Sequence, residues 1–398
     1  MSLILLMDLD DTLLDNDVDV FLPAYIQAFS EFVSDLIEPD LFVRSLMAGT
    51  QHMVDNRLPD CNLLDVFEST FYPMTGLDKT GFEDRIDQFY AQVFPSLKEY
   101  TNPVPDAISF IDSARARGYR IVIATNPLFP RTAILQRLAW AGLPLDEYKF
   151  DLVASLETFH FTKPNPAFFA ETLGRLGWPE GPVAVVGDDP KRDIAAAEQL
   201  GLAAFWIDHR NTGSTNDSDD PAVSGDMTKL MPWLDSKTNG ELLPEFDTVS
   251  AILAILQSTP AVLDSLLREE NEETWGERPR PEEWCPTEIV CHFRDVEGEV
   301  NLRRIRNVLM EDNPFLTGED TDPWVDERTY ICQNGAEALR DFTSTRMQLL
   351  EMLSNIQERD WKRPARHSIF GRTDLKELVG MIAGHDRMHI QQLVRDLG

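Results

Sequence analysis

The chain has 398 residues, of which 68 are Asp or Glu and 36 are Lys or Arg, so its formal net charge is −32. A surface this acidic repels nucleic-acid phosphates and anionic lipid, and we therefore expect neither a nucleic acid nor a membrane as a partner. The length of 398 residues suggests two or three domains, and a hydrophobic content of 43% supports sizeable cores.

No targeting segment is predicted. The apolar run near the start of the sequence is too short for a signal peptide or a membrane span, and it ends at Asp8. The four cysteines show no CxxC spacing, which favours reduced thiols over disulfides. We therefore expect a cytoplasmic protein.

The first predicted strand covers residues 3–7 and runs into Asp8-Leu9-Asp10-Asp11-Thr12. Carboxylates just past the C-terminal end of a buried strand lie where open α/β sheets bind their ligands. Asp8 and Asp10 are two residues apart on extended backbone and so face the same side. Two carboxylates about 4 Å apart repel by several kcal/mol at an effective dielectric of about 20, which a bound cation would offset. The alternative is a solvated acidic turn.

Helical patterns follow as far as about Tyr100. Residues 20–46 carry apolar side chains at helical spacing, and breaks occur near Pro59 and at residues 73–76. No strand pattern interrupts this region, so it is predicted to be an all-helical insertion.

From Pro103 onward, predicted strands and helices alternate, which indicates a parallel, doubly wound sheet. The strand at 121–124 ends in Thr125-Asn126, Lys163 precedes a proline, and the strand at 183–186 runs into Gly187-Asp188-Asp189-Pro190-Lys191-Arg192-Asp193. Each of these features is weak on its own, but they occur in a fixed order.

The composition then changes. Residues 211–220 are almost entirely polar and are predicted to be a flexible loop, residues 227–234 a closing helix, and residues 236–244 a linker. Four long helical patterns follow, at residues 249–270, 286–311, 336–357 and 373–397, and they predict a four-helix bundle.

Three histidines lie on the apolar faces of two of these helices. His385 and His389 are four residues apart on one helix, and His292 occupies a similar position on another. Three buried, unpaired imidazoles would cost about 1–3 kcal/mol each, so a shared metal ion is the more economical explanation. An imidazole pKa near 6.5 then predicts that metal occupancy falls as the pH drops through that region. The alternative is metal-free packing of polar side chains.

The ordered features of residues 1–235 resemble the four motifs of the haloacid dehalogenase superfamily: DxDxT, a Thr at a strand end, a Lys before Pro, and GDxxxxD. The resemblance implies that Asp8 is a nucleophile forming an aspartyl-phosphate. It implies that Asp10 is the general acid and base, and that Thr125 and Lys163 bind the phosphoryl oxygens.

The same resemblance implies a Mg²⁺ site and a substrate class. Asp8, Asp188 and a backbone carbonyl of Asp10 would hold the ion, with Asp193 supporting it and Asp189 a further candidate. The expected substrate is a small phosphorylated metabolite. Superfamily members that remove halide lack the acid at position 10, so dehalogenation is disfavoured, whereas a phosphomutase remains an alternative.

Residues 247–398 resemble the DinB-like family, whose bundle carries a metal-binding triad of one His on the second helix and HxxxH on the fourth. The resemblance implies that His292, His385 and His389 bind a divalent transition metal such as Zn, Ni or Fe, with His367 outside the triad. Family members resemble thiol transferases and isomerases. A thiol-dependent transferase and a non-catalytic module for interaction or homodimer formation both remain alternatives.

The predicted fold is therefore an α/β doubly wound, Rossmann-like domain with an inserted helical cap, followed by an all-α four-helix bundle. The expected boundaries are residues 1–14 and 101–235 for the core, 15–100 for the cap, 236–246 for the linker and 247–398 for the bundle. The expected activity is that of a Mg²⁺-dependent phosphatase, a hydrolase.

Overall fold

The structure is a computed structural model that describes residues 2–208 and 223–397. Contacts within the chain divide it into two compact units. Their ranges are 1–57, 61–169 and 180–245 for the first, and 58–60, 170–179 and 246–398 for the second. The predicted loop at residues 211–220 lies outside the described residues.

A parallel sheet forms the centre of the first unit. Its six strands are β1 Ile4–Met7, β4 Arg120–Ile123, β5 Leu152–Val153, β6 Val183–Gly187, β7 Ala203–Ile207 and β8 Ser224–Gly225. Two further strands, β2 Leu14–Asn16 and β3 Thr101–Pro103, pair with each other in a separate antiparallel sheet. The strand order is β5-β4-β1-β6-β7-β8, so β1 lies between β4 and β6. All four residues of β1 are buried, as expected for a central strand covered on both faces.

Four helices occupy the segment between β2 and β3. They are α1 Val18–Phe32, α2 Pro39–Asp55, α3 Leu63–Thr75 and α4 Lys79–Gln92. Aromatic rings pack them together: Phe29 stacks on Phe89 with 4.1 Å between ring centroids, and the hydroxyls of Tyr25 and Tyr90 are 2.9 Å apart.

The helical pattern of residues 20–46 corresponds to parts of two helices, α1 and α2. Pro39 has no N–H and restricts Glu38 to extended backbone, so α1 cannot continue into α2. The Glu38 carboxylate accepts the N–H groups of Asp40 and Leu41 at 3.1 and 2.8 Å and caps the new helix.

Helices alternate with strands from residue 107 to residue 236. They are α5 Ala107–Ala116, α6 Arg131–Trp140, α7 Ala167–Arg175, α8 Ala196–Leu200 and α9 Met227–Ser236, and residues 170–175 of α7 are grouped with the second unit. A π-helical turn, Pro190–Ala195, leads directly into α8. The predicted doubly wound α/β class is confirmed.

The second unit is built from four long helical segments. Its helices are α10 Val249–Leu267, α11 Glu272–Gly276, α12 Pro286–Asp295, α13 Leu302–Met310, α14 Trp324–Glu327, α15 Gly335–Ser354 and α16 Leu375–Leu397. A π-helical turn, Val296–Asn301, joins α12 to α13 as one segment. By length and composition α10 could cross a membrane, but 61% of its most apolar window is buried, as is usual for a core helix.

A small sheet accompanies the predicted bundle. Its strands are β9 Phe315–Leu316, β10 Pro364–His367 and β11 Gly371–Asp374. The sequence did not predict it, because these strands are short and mostly polar.

Candidate active site and candidate metal centre

The ends of three neighbouring strands bring the predicted catalytic residues of the first unit together. In the register of the sheet, Met7 of β1 faces Ile123 of β4 on one side and Val186 of β6 on the other. Asp8 therefore emerges beside the segment that carries Thr125 and beside the one that carries Asp188. Asp8 is buried, unlike a side chain in a solvated acidic turn.

Lys163 reaches this strand edge from a loop and is 3% exposed. Its Nζ lies 2.7 Å from Asp8 Oδ1 and 2.5 Å from Asp193 Oδ1. Although burial opposes it, the carboxylates of Asp193 and Asp8 raise the pKa of Lys163 above its usual value. The ammonium is therefore charged and fixed between two carboxylates.

Three carboxylates converge beyond Lys163. Asp8, Asp188 and Asp193 each offer an oxygen, and these oxygens lie within 4.8 Å of one another. Burial, with the charges of Asp8 and Asp193 adding to it, raises the pKa of Asp188 to about 8. Burial also raises the pKa of Asp193 to about 6, although Lys163 opposes the shift. The single positive charge of Lys163 thus does not balance the three carboxylates. Their oxygen atoms are hard donors of the kind that Mg²⁺ prefers.

A backbone N–H group and the absence of a side chain at Gly187 hold Asp193 in this cluster. The second carboxylate oxygen of Asp193 accepts the N–H of Asp189 at 3.1 Å. A Cβ on Gly187 would lie 2.3 Å from Asp193 Cγ, so any side chain at position 187 would displace Asp193. Asp189 itself caps the following turn by accepting the N–H groups of Lys191 and Arg192, both at 2.8 Å, and is not part of the carboxylate cluster.

Asp10 lies next to a buried arginine that the sequence analysis missed. Arg137 of α6 is 2% exposed and forms an ion pair with Asp10 through Nη2, while Asn16 donates to Asp10 at 3.2 Å. The guanidinium lies over Phe21 and Phe129, and burial lowers the pKa of Arg137 to about 10. A signal was available, because Arg137 occupies the apolar stripe of its helix together with buried residues on either side.

The three histidines of the second unit also converge. His292 of α12 and His385 and His389 of α16 each offer a ring nitrogen, and the three nitrogens lie within 4.8 Å of one another. The Nε2 atoms of His292 and His385 are 3.1 Å apart. His389 Nδ1 lies 3.3 Å from Gln392 Oε1, and its buried Nε2 has no hydrogen-bond partner among the described residues.

The surroundings keep these imidazoles neutral. Burial, with the other histidines adding to it, lowers the pKa of His292 to about 2, and burial lowers that of His385 and His389 to about 4. Trp284 stacks on His389 with 5.4 Å between ring centroids. Neutral nitrogens that face one another suit a transition metal. The expected loss of metal occupancy as the pH drops near 6.5 stays a prediction.

A buried ion cluster lies beside the triad, and the sequence analysis missed it as well. Arg346 of α15 is fully buried between Asp386 of α16 and Glu297, and Asp386 also accepts the Thr259 hydroxyl of α10 at 2.8 Å. Arg346 Nη1 lies 2.5 Å from Asp386 Oδ2 and 3.1 Å from the carbonyl of Leu256. The guanidinium of Arg346 on α15 thus contacts the three other long helical segments, α10, α12–α13 and α16.

Comparison with known proteins gives two family matches. The family model described as haloacid dehalogenase-like hydrolase matches residues 4–201, and that of the DinB superfamily matches residues 255–393.

Individual relatives match parts of the chain. A phosphoserine phosphatase of Thermus thermophilus is 33% identical over 106 residues, which is 26% of this chain and 40% of the relative. A phosphoglycolate phosphatase of Aquifex aeolicus is 25% identical over 207 residues, 51% of this chain and 84% of the relative. The structure of YfiT from Bacillus subtilis, which has an unusual four-helix bundle topology, is 17% identical, with a TM-score of 0.34 over 36% of this chain and 83% of YfiT.

Proposed function

The chain joins a haloacid dehalogenase-like hydrolase at residues 4–201 to a DinB superfamily domain at residues 255–393, and from this we propose a phosphatase that carries a second, metal-binding bundle. The first unit would hydrolyse a small phosphomonoester through an aspartyl-phosphate on Asp8. The observation that carries this proposal is the buried cluster of Lys163 with Asp8, Asp188 and Asp193 at the ends of adjacent strands. The phosphatase relatives support the substrate class.

The reaction would take place in two steps. A carboxylate oxygen of Asp8 forms a bond to phosphorus as the ester P–O bond breaks, and Asp10 gives its proton to the leaving oxygen. A water molecule then attacks the phosphorus, Asp10 takes the proton of that water, and the bond between Asp8 and phosphorus breaks to release phosphate. Lys163, charged and fixed, would bind phosphoryl oxygens together with Thr125 and stabilise charge that develops on them.

Mg²⁺ fits this site because its donors are hard oxygens with an excess of negative charge. Asp8, Asp188 and the backbone carbonyl of Asp10 would hold the ion, which supplies positive charge against the phosphoryl group. Both carboxylate oxygens of Asp193 are already engaged, by Lys163 and by the N–H of Asp189, so Asp193 would act mainly by orienting Lys163.

Arg137 would act as a positioning residue for Asp10. Its ion pair and the Asn16 amide hold the Asp10 carboxylate from the side of the protein, which orients the carboxylate without any direct role in bond breaking. This arrangement suits an acid that must point at the leaving oxygen in one step and at water in the next.

In the second unit, we propose that His292, His385 and His389 bind one divalent transition metal. The carrying observation is the convergence of three neutral ring nitrogens, of which His389 Nε2 is buried without a partner among the described residues. Three histidine ligands leave a coordination position open, as in catalytic sites.

The phosphatase proposal is tested by assaying the purified chain against a panel of phosphorylated metabolites, with and without Mg²⁺, alongside Asp8→Asn. We expect release of phosphate from a small monoester that requires Mg²⁺ and that falls by several orders of magnitude in the variant, because the nucleophile is lost. Thermal unfolding of the variant should match the wild type or exceed it, since one repelling charge is removed. Undiminished turnover in a folded Asp8→Asn protein would exclude Asp8 as the nucleophile.

A further inference from the structure

A cavity of about 180 Å³ lies beside the histidine triad in the second unit. His385 is part of its lining, so the cavity borders one of the three proposed metal ligands. Much of the remaining lining is apolar and comes from helical side chains such as Val300, Ile305, Leu378 and Ile382. Cavities for drug-sized ligands measure about 300–1,000 Å³, so this one fits a smaller metabolite.

Arg304 brings positive charge to this cavity. Its Nη2 donates to the carbonyl of Thr317 at 2.7 Å, whereas its buried Nε has no hydrogen-bond acceptor in the part of the chain that the structure describes. Glu319 also lines the cavity, but its carboxylate is paired with Arg303. Burial lowers the pKa of Arg304, as expected for a cation with too little compensating charge. A donor of this kind is ready to bind an anion.

His367 adds a second donor to the cavity lining. Its Nδ1 accepts the N–H groups of Ile369 and Phe370 at 3.2 and 3.4 Å, so in the neutral ring the proton must be on Nε2. Burial, and then the charge of Arg304, lowers the pKa of His367 and keeps the ring neutral. The ring stacks on Phe370, which fixes its orientation.

We propose that this cavity binds a small organic acid, with its carboxylate on Arg304 and His367 and its apolar chain against the helices. A cationic ligand does not fit, because Glu319 is already paired with Arg303, whereas Arg304 forms no ion pair with a carboxylate of the described residues. The chain as a whole carries a charge of −32, so only local donors can hold an anion. The ligand would then lie next to His385. That part of the inference rests on the proposed metal centre, whereas the anion site itself does not.

Isothermal titration calorimetry of the full chain with hexanoate, hexanamide and hexylammonium tests the proposal. We expect hexanoate to bind at least tenfold more tightly than hexanamide, and hexylammonium not to bind. Arg304→Gln should weaken hexanoate binding about tenfold or more, because a hydrogen bond to a charged group is lost, and should leave hexanamide unchanged. Arg304→Lys should recover part of the loss. Arg306→Gln, an exposed arginine on the same helix, is the matched control.

Equal binding of hexanoate and hexanamide would overturn the anion site. Equal binding of hexanoate by wild type, Arg304→Gln and Arg304→Lys would overturn the assignment of Arg304, and the Lys variant keeps the test valid if the Gln variant fails to fold. The metal content of each sample separates the two proposals. Arg304-dependent binding by a chain that takes up no transition metal would refute only the metal centre, and metal uptake without hexanoate binding would refute only the anion site.

Discussion

Asp188 and Asp189 are neighbours in the chain but lie in opposite electrostatic environments. Burial and the charges of Asp8 and Asp193 raise the pKa of Asp188 to about 8. Asp189 is partly buried, but backbone N–H groups and Arg192 outweigh that burial and lower its pKa. One residue step along the backbone therefore separates a carboxylate that needs a cation from one that already has its partners.

Asp188→Asn should stabilise the metal-free protein at pH 8. The pKa of Asp188 is raised in the folded state from the usual 3.8 to about 8, so the folded protein favours the protonated carboxyl. The contribution of Asp188 to stability is therefore complete below about pH 4 and is lost as the pH rises through about 8. The variant has no such loss, so its melting temperature should exceed that of the wild type at pH 8 and approach it at pH 5. Differential scanning calorimetry in EDTA measures the melting temperatures of the two proteins at both pH values.

Asp189→Asn is the control for this experiment, because it removes the same charge one residue away. Since Asp189 has a lowered pKa and caps a turn, its loss should lower the melting temperature at pH 8. Addition of Mg²⁺ should stabilise the wild type and not Asp188→Asn. A wild type and Asp188→Asn with the same melting temperature at both pH values would contradict the raised pKa.

At this scale, the sequence predicted acids better than it predicted their partners. Asp8, Asp188 and the histidines stand out because a charged or polar residue directly follows an apolar strand or interrupts an apolar stripe. Arg137 and Arg346 pair with residues more than 30 positions away, and no local pattern states which carboxylate such an arginine will meet. The roles of the site residues stay predictions until variants are assayed.

Among the elements, the bundle helices are joined by polar as well as apolar contacts. Arg346 of α15 contacts Asp386 of α16 and Glu297 of the turn between α12 and α13 inside the core. The two carboxylates outweigh burial and raise the pKa of Arg346, so it remains charged. Interactions of this kind add little net stability compared with an apolar core, but they are costly to break on one side.

Arg346→Met should destabilise the second unit by about 3–5 kcal/mol, because it leaves two carboxylates buried without their partner. Arg340→Met, at an exposed position on the same helix, should change stability little. Adding Glu297→Gln and Asp386→Asn to Arg346→Met should restore part of the loss. Urea unfolding followed by circular dichroism provides the measurement, and equal midpoints for the two Met variants would refute the cluster's role.

Helices and strands with a strong period of apolar residues were predictable from the sequence, and short elements were not. The long helices of the bundle and the central strands were identified because their apolar patterns extend over several turns or complete strands. β10 and β11 have four residues each, and of their buried residues, Ala365, His367 and Thr373, only Ala365 is apolar, so no alternation of apolar residues signals a sheet. Because β10 could not be predicted, the sequence around His367 did not indicate that this residue lines the cavity.

On the scale of the whole molecule, the two candidate sites belong to different units. The carboxylate cluster uses residues of the first unit, and the histidine triad uses residues of the second. The domain boundaries proposed from the sequence differ from these units, because residues 58–60 and 170–179 are grouped with the second unit and the predicted core and cap fall in a single unit. The sequence could not predict this grouping, since it depends on contacts between residues far apart in the chain.

His385→Ala should therefore remove one metal ion per chain and leave Mg²⁺-dependent phosphatase activity unchanged. The lost ion follows from the loss of one of three ligands, and the retained activity follows because no triad residue belongs to the carboxylate cluster. Elemental analysis of dialysed protein and the phosphate-release assay measure the two effects. His367→Ala should keep the metal. A wild type that neither contains nor takes up a transition metal would indicate that the triad is packing alone.

The stacking of Trp284 on His389, with an angle of 11° between the rings, has an optical consequence. An indole in contact with a metal ligand transfers its excited-state energy or an electron to an ion with an open d shell, so Fe or Ni in the triad should quench the fluorescence of Trp284. Zn²⁺ has a filled d shell and should leave most of that emission in place. The difference spectrum between wild type and Trp284→Phe, recorded during titration with each ion, would therefore report which metal the protein has bound without any assay of its chemistry.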